Sequence, residues 1–108
     1  MSPRPQERGE ITELRLRTGE VVFRQGDASD LVYVVEEGQI ELIRDLAGGG
    51  FEVLAQHGRG EYFGELGPMF GLPRSARAHA TQPSRVVGLP LSEFRNRFGG
   101  STVSSFVS

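Results

Sequence analysis

From Ile11 to Leu89 the chain is a succession of short apolar runs, each ended within a few residues by a turn, most of them glycine-centred, and that rhythm narrows the folds open to it. Ile11, Leu14 and Leu16 begin a strand that Gly19 turns; Val21, Val22 and Phe23 give a second, stopped by Gln25-Gly26-Asp27. The run LVYVVEE alternates poorly but is β-branched and aromatic, as in a strand buried on much of both faces, and Glu37-Gly38 reads as the turn of a hairpin into Gln39–Arg44. Asp45 to Gly50 reads as a flexible link, FEVLA as a further strand and His57 to Gly60 as a further turn, with Ser75–Ala80 and Ser84–Leu89 supplying the last strands. Roughly eight short strands at turn spacings of about eight to twelve residues predict a mainly β fold, either a sandwich, a barrel or a jelly roll. Two helical pieces interrupt the pattern. Glu65–Phe70 tolerates Pro68 because the N–H groups of a first turn have no intrahelical partner, and Leu91–Phe98 starts near Pro90 or Ser92 and ends at Gly99-Gly100.

The 108 residues are one domain's worth: a polar lead-in over residues 1–10, a folded unit over 11–98 and a tail over 99–108. Without cysteine, neither a disulfide framework nor a thiolate metal site can be built. The longest apolar run, Leu31 to Val35, is far short of the roughly 20 residues that cross a bilayer, so a soluble, cytoplasmic module with no membrane contact is expected. Net charge is −2, and the 12 basic residues are all arginines scattered along the chain, which argues against a nucleic-acid surface. The histidines, His57 and His79, lack metal-site spacing, and no nucleophile elbow, P-loop or dinucleotide fingerprint occurs; no metal, no cofactor and no catalysed reaction are expected.

The segment GEYFGELGPMFGLPRSARAHA carries the chemistry. A glycine-led helix start offers unpaired N–H groups and a positive dipole end, and an arginine brought against it, Arg74, adds the fork that suits a phosphate. With GEVVFRQGD before it and VYVVEEGQIEL between, FGEL followed by PRSA resembles the phosphate-binding cassette of the cyclic nucleotide-binding domain family, and the ordered set covers about Gly19 to Phe98. The resemblance implies an eight-stranded β jelly roll with a short phosphate-binding helix and a short C-terminal helix. It also implies a ligand, cyclic AMP or cyclic GMP, the former favoured, held by Gly64, Glu65, Leu66, Gly67, Arg74, Ser75 and Ala76. By the same resemblance Glu65 accepts a hydrogen bond from the ribose 2′-hydroxyl, Arg74 pairs with the exocyclic phosphate oxygens, and Gly64, Gly67 and Ser75 give close backbone approach or N–H donors.

Blander readings exist for each residue. Glu65 can be a carboxylate favoured by the helix dipole with Arg74 as its salt-bridge partner, and Ser75 a small strand residue that does not choose the base. The chain departs from the family at both ends: members usually carry helices before the barrel and, after the helix matching Leu91–Phe98, a longer helix that covers the base. Only GGSTVSSFVS follows Phe98 here; a frayed tail is expected, with Val103, Phe106 or Val107 the residues able to fold over the base. Arg77 stands where the family commonly has a small hydroxyl residue. Two functions follow. One is a regulatory module that binds a cyclic nucleotide as part of a larger host, such as a transcription regulator, kinase, channel or transporter. The other is a degenerate domain that assembles or decorates a host, including a shell-forming one, with weak or no nucleotide binding.

Overall fold

The computed structural model describes residues 10–99. The expectations for the lead-in up to residue 9 and for the tail from Gly100 onward lie outside the described residues. Eight strands are present: β1 (Thr12–Leu16), β2 (Val21–Phe23), β3 (Val32–Glu37), β4 (Gln39–Asp45), β5 (Phe51–Gly58), β6 (Tyr62–Phe63), β7 (Arg77–Ala80) and β8 (Ser84–Leu89). They form two four-stranded sheets, ordered β1-β8-β3-β6 and β2-β7-β4-β5. All pairings are antiparallel, and β4–β5, β3–β6, β2–β7 and β1–β8 are those of one long hairpin whose tip is the Leu46–Gly50 turn. Folding that ribbon across itself adds the pairs β3–β8 and β4–β7 and produces the jelly roll. The link from Asp45 to Gly50 is thus a hairpin turn, closed by Leu46 N–H donating to the Gly50 carbonyl at 3.1 Å.

The turn at Gly38 is not a hairpin. β3 and β4 lie in different sheets, and the single residue between them is too short for even a two-residue hairpin loop. Gly38 adopts φ 89°, and together with the register shift between Val35 and Glu37 it carries the chain round the corner from one sheet to the other. A β-carbon there would collide with the Ser84 hydroxyl, which accepts from Gln39 N–H at 3.0 Å and donates to the Gln82 carbonyl at 2.7 Å. Other boundaries differ as well. β5 continues past FEVLA to Gly58, Tyr62–Phe63 pairs as a short strand, and β7 begins only at Arg77, leaving Ser75 and Ala76 in the preceding loop.

Between the sheets lies the main core of Phe23, Leu31, Tyr33, Val35, Ile40, Phe63, Ala78, Ala80 and Val86. The LVYVVEE run is buried through Val35, as a strand with apolar cover on both faces must be. Its second face, through Val32 and Val34, packs with Leu89 on Phe94. Phe94 belongs to α2 (Leu91–Phe94), which continues as one π-helical turn, Arg95–Gly99, rather than as α-helix to Phe98. Tyr62, Phe94 and Phe98 form an aromatic triplet with ring centroids 4.8 to 5.3 Å apart, roofing one side of the barrel.

Candidate functional site

The connection from β6 to β7 is the longest in the fold and carries the cassette. Gly64, at φ 77°, turns the chain out of β6; α1 (Leu66–Phe70) follows with Glu65 at its N-cap, and Gly71, at φ 67°, ends it in the left-handed conformation. Pro68 falls in the first turn, where it removes no helix hydrogen bond. The return leg is tied to the β2–β3 loop by Gly26 N–H donating to the Arg74 carbonyl and Arg74 N–H to the Asp27 carbonyl, both at 2.8 Å. The glycines are steric requirements. A β-carbon on Gly64 would stand 2.7 Å from Arg74 Nη1, and one on Gly67 would collide with the Ser29 side chain.

Arg74 is 6% exposed and lies across the core, its Cζ 4.0 Å from the centre of the Phe23 ring. Nη1 donates to the Gly64 carbonyl at 2.8 Å and Nη2 to the Leu31 carbonyl at 2.6 Å, while Nε is buried and has no partner among the described residues. No carboxylate among those residues comes within 4.0 Å of the guanidinium. Burial pushes its pKa below the ordinary arginine value, with Tyr33, Asp30 and Asp27 pulling the other way. The Tyr33 phenol is itself raised by burial.

All seven sequence-selected residues, Gly64, Glu65, Leu66, Gly67, Arg74, Ser75 and Ala76, line one pocket of about 790 Å³ at the open end between the sheets. That volume is within the range of small-molecule sites. Glu65 is half-buried and its carboxylate makes neither a cap hydrogen bond nor an ion pair with Arg74, so the salt-bridge reading of the two residues does not describe this geometry. Arg77 turns away from the pocket and pairs with Asp45 at 3.3 Å. The structure also brings in residues the sequence did not single out for the site: Ser29, whose buried hydroxyl has no partner among the described residues, together with Phe23, Leu42, Ala55, His57, Tyr62 and Phe98. Ser29 and Phe23 precede the cassette by tens of residues; Phe23 lies in the GEVVFRQGD stretch, but nothing in that stretch marks it as lining the site. Among the described residues no group of three or more histidines and acids could hold a metal ion, and no helix is long and apolar enough to cross a membrane.

Among the described residues the site sets a buried guanidinium with no carboxylate within 4.0 Å and a carboxylate with no hydrogen bond to a cap or to Arg74, so it can receive an anion at the first and a hydroxyl donor at the second. Residues 13–99 match the model of the cyclic nucleotide-binding domain. An uncharacterized ABC transporter ATP-binding protein of Mycobacterium tuberculosis is 42% identical over 94 residues, covering 87% of this chain, and the chain spans only 28% of that relative's length. Lysophospholipase NTE1 of Chaetomium globosum is 35% identical over 83 residues, 77% of this chain and 6% of the fungal protein. Among solved structures, the catabolite activator protein of Thermus thermophilus superposes with a TM-score of 0.73 at 29% identity, covering 82% of this chain and 43% of that one. The regulatory domain of Toxoplasma gondii PKA, solved with cAMP, superposes with a TM-score of 0.71 at 28% identity, covering 80% and 33%. The fold, the cassette and the family match together show that this chain belongs to the cyclic nucleotide-binding domain family.

Proposed function

We propose that this domain is a regulatory module that binds a cyclic nucleotide, cyclic AMP in preference to cyclic GMP, and catalyses no reaction. The observation that carries this reading is Arg74: a guanidinium held out of water without an acidic partner is costly unless an anion joins it, and a phosphodiester at the cassette would do so. In this reading Arg74 holds the exocyclic phosphate oxygens, Gly64, Gly67 and Ser75 bring backbone up to the sugar-phosphate, Leu66 and Ala76 complete the wall, and Glu65 accepts from the 2′-hydroxyl. The 42% identity to mycobacterial ABC transporter ATP-binding proteins supports a transporter-type host whose activity the domain would modulate. Calorimetric titration of the chain with cyclic AMP and cyclic GMP tests the proposal. Saturable 1:1 binding with cyclic AMP the tighter ligand is expected; a folded chain that binds neither would refute it in favour of an assembly role.

A further inference from the structure

The pocket has two chemically distinct ends. Arg74, Ser29 and the cassette glycines form the polar end, whereas Leu42, Ala55, Tyr62 and Phe98 form an apolar end. His57 lines the pocket too, stacked on Phe63 and beside Glu61. The two ends are joined by a row of rings: Phe23, beneath the Arg74 guanidinium, is 6.0 Å from Phe63, and Phe63 is stacked on the His57 imidazole at 5.8 Å and 16°. If phosphate and ribose occupy the polar end, as proposed above and on which this inference rests, the base lies along the other end, where His57 and the adjacent Glu61 line the pocket.

The imidazole is held in place. Its face is set by Phe63, and its Nδ1 is 3.7 Å from Glu61 Oε1, an oxygen itself fixed by accepting from Gly58 N–H at 2.7 Å. At 3.7 Å the Glu61 carboxylate makes no hydrogen bond to Nδ1, but its charge favours the proton there over Nε2, leaving Nε2 a lone pair with no partner among the described residues. Adenine presents an exocyclic amine where guanine presents a carbonyl oxygen. We propose that His57 is the base-selecting residue of this pocket, its Nε2 accepting a hydrogen bond from the exocyclic amine of adenine and meeting the guanine oxygen with an unfavourable acceptor-acceptor contact.

The test compares cyclic AMP with purine riboside 3′,5′-cyclic monophosphate, which lacks only the 6-amino group, on the chain itself and on its His57→Leu and His57→Phe variants. The second variant keeps a ring stacked on Phe63. The parent is expected to bind cyclic AMP about three- to tenfold more tightly than the deaminated analogue, and both variants to bring that ratio to about one. Long-range proton-nitrogen spectra of the ligand-free chain are expected to show the Nδ1-protonated tautomer. A ratio near one in the parent, a ratio unchanged in both folded variants, or an Nε2-protonated imidazole would each overturn the assignment. Failure of the folded parent to bind either compound would overturn the nucleotide reading of the pocket as well, so the two failures are told apart.

Discussion

Arg74→Met removes the charge but keeps an unbranched apolar chain in the space over Phe23, and the structure sets what it should cost. In the ligand-free domain the change forfeits two charge-assisted hydrogen bonds, to Gly64 and Leu31, worth about 1.5–3 kcal/mol each, and a buried cation–π contact of about 2 kcal/mol. It also relieves the desolvation of a guanidinium with no carboxylate within reach, a penalty of several kcal/mol. These effects have opposite sign and similar size, so the variant should remain folded with a Tm within about 10 °C of the parent, given about 4–8 °C per kcal/mol for a domain of this size. Binding is affected differently, because a phosphate that has left water then meets no cation; losing one member of such a pair costs about 2–5 kcal/mol, a roughly 30- to several-thousand-fold rise in Kd. With cyclic AMP at about 100 times the parent's Kd, ligand should stabilise the parent by about 2.7 kcal/mol and the variant by about 0.9 kcal/mol or less. Melting curves with and without cyclic AMP, alongside calorimetry, read both quantities. A folded variant whose affinity lies within threefold of the parent's would refute the assignment of Arg74 to the phosphate.

Gly64→Ala forces an L side chain into φ 77° and a methyl group to 2.7 Å from Arg74 Nη1; a loss of about 1–2 kcal/mol in urea unfolding, accompanied by weaker cyclic AMP binding, is expected, and unchanged stability would contradict the steric argument. For Glu65, 2′-deoxy-cyclic AMP should bind the parent about 1.5–3 kcal/mol more weakly than cyclic AMP, and Glu65→Gln should shrink that gap; a coupling within about 0.3 kcal/mol of zero by titration would leave Glu65 without a role at the ribose. On the outer face of the second sheet, the Gln56 amide at 3.0 Å and then His79 hold the Glu41 carboxyl below the usual glutamate range. Its contribution to stability is therefore present above the unfolded value of about 4.3 and lost as pH falls through the lower folded value, so Glu41→Gln should flatten the acid limb of stability below about pH 4.3 in denaturant titrations, leaving the curve near neutrality parallel to the parent's.

The strands and the cassette were legible in the sequence because their causes are local. β-branched and aromatic runs such as residues 31–35 favour extended chain over a few residues, glycine supplies positive φ at Gly19, Gly26 and Gly60, and Glu65 and Arg74 stand nine residues apart within one connection. What the turns joined was not legible. A glycine between two strands looks the same whether it closes a hairpin or rounds a corner between sheets, and at Gly38 the corner is held by residues more than forty positions on: the Ser84 hydroxyl accepts from Gln39 N–H, and Thr81 N–H donates to the Gln39 carbonyl. The same holds at the site. The sequence named an arginine suited to phosphate, but its burial over Phe23 and its bond to Leu31, 43 residues earlier, arise only when β2, β3 and the cassette are packed together. Ser29 and His57 entered the pocket by that route too, since Ser29 is brought under Gly67 by the β2–β3 loop and His57 is turned inward by the pleat of β5 and stacked on Phe63. Local propensity acts through neighbours a few residues away, whereas the shape and charge of this pocket are made by segments that meet only after the long hairpin has folded over itself.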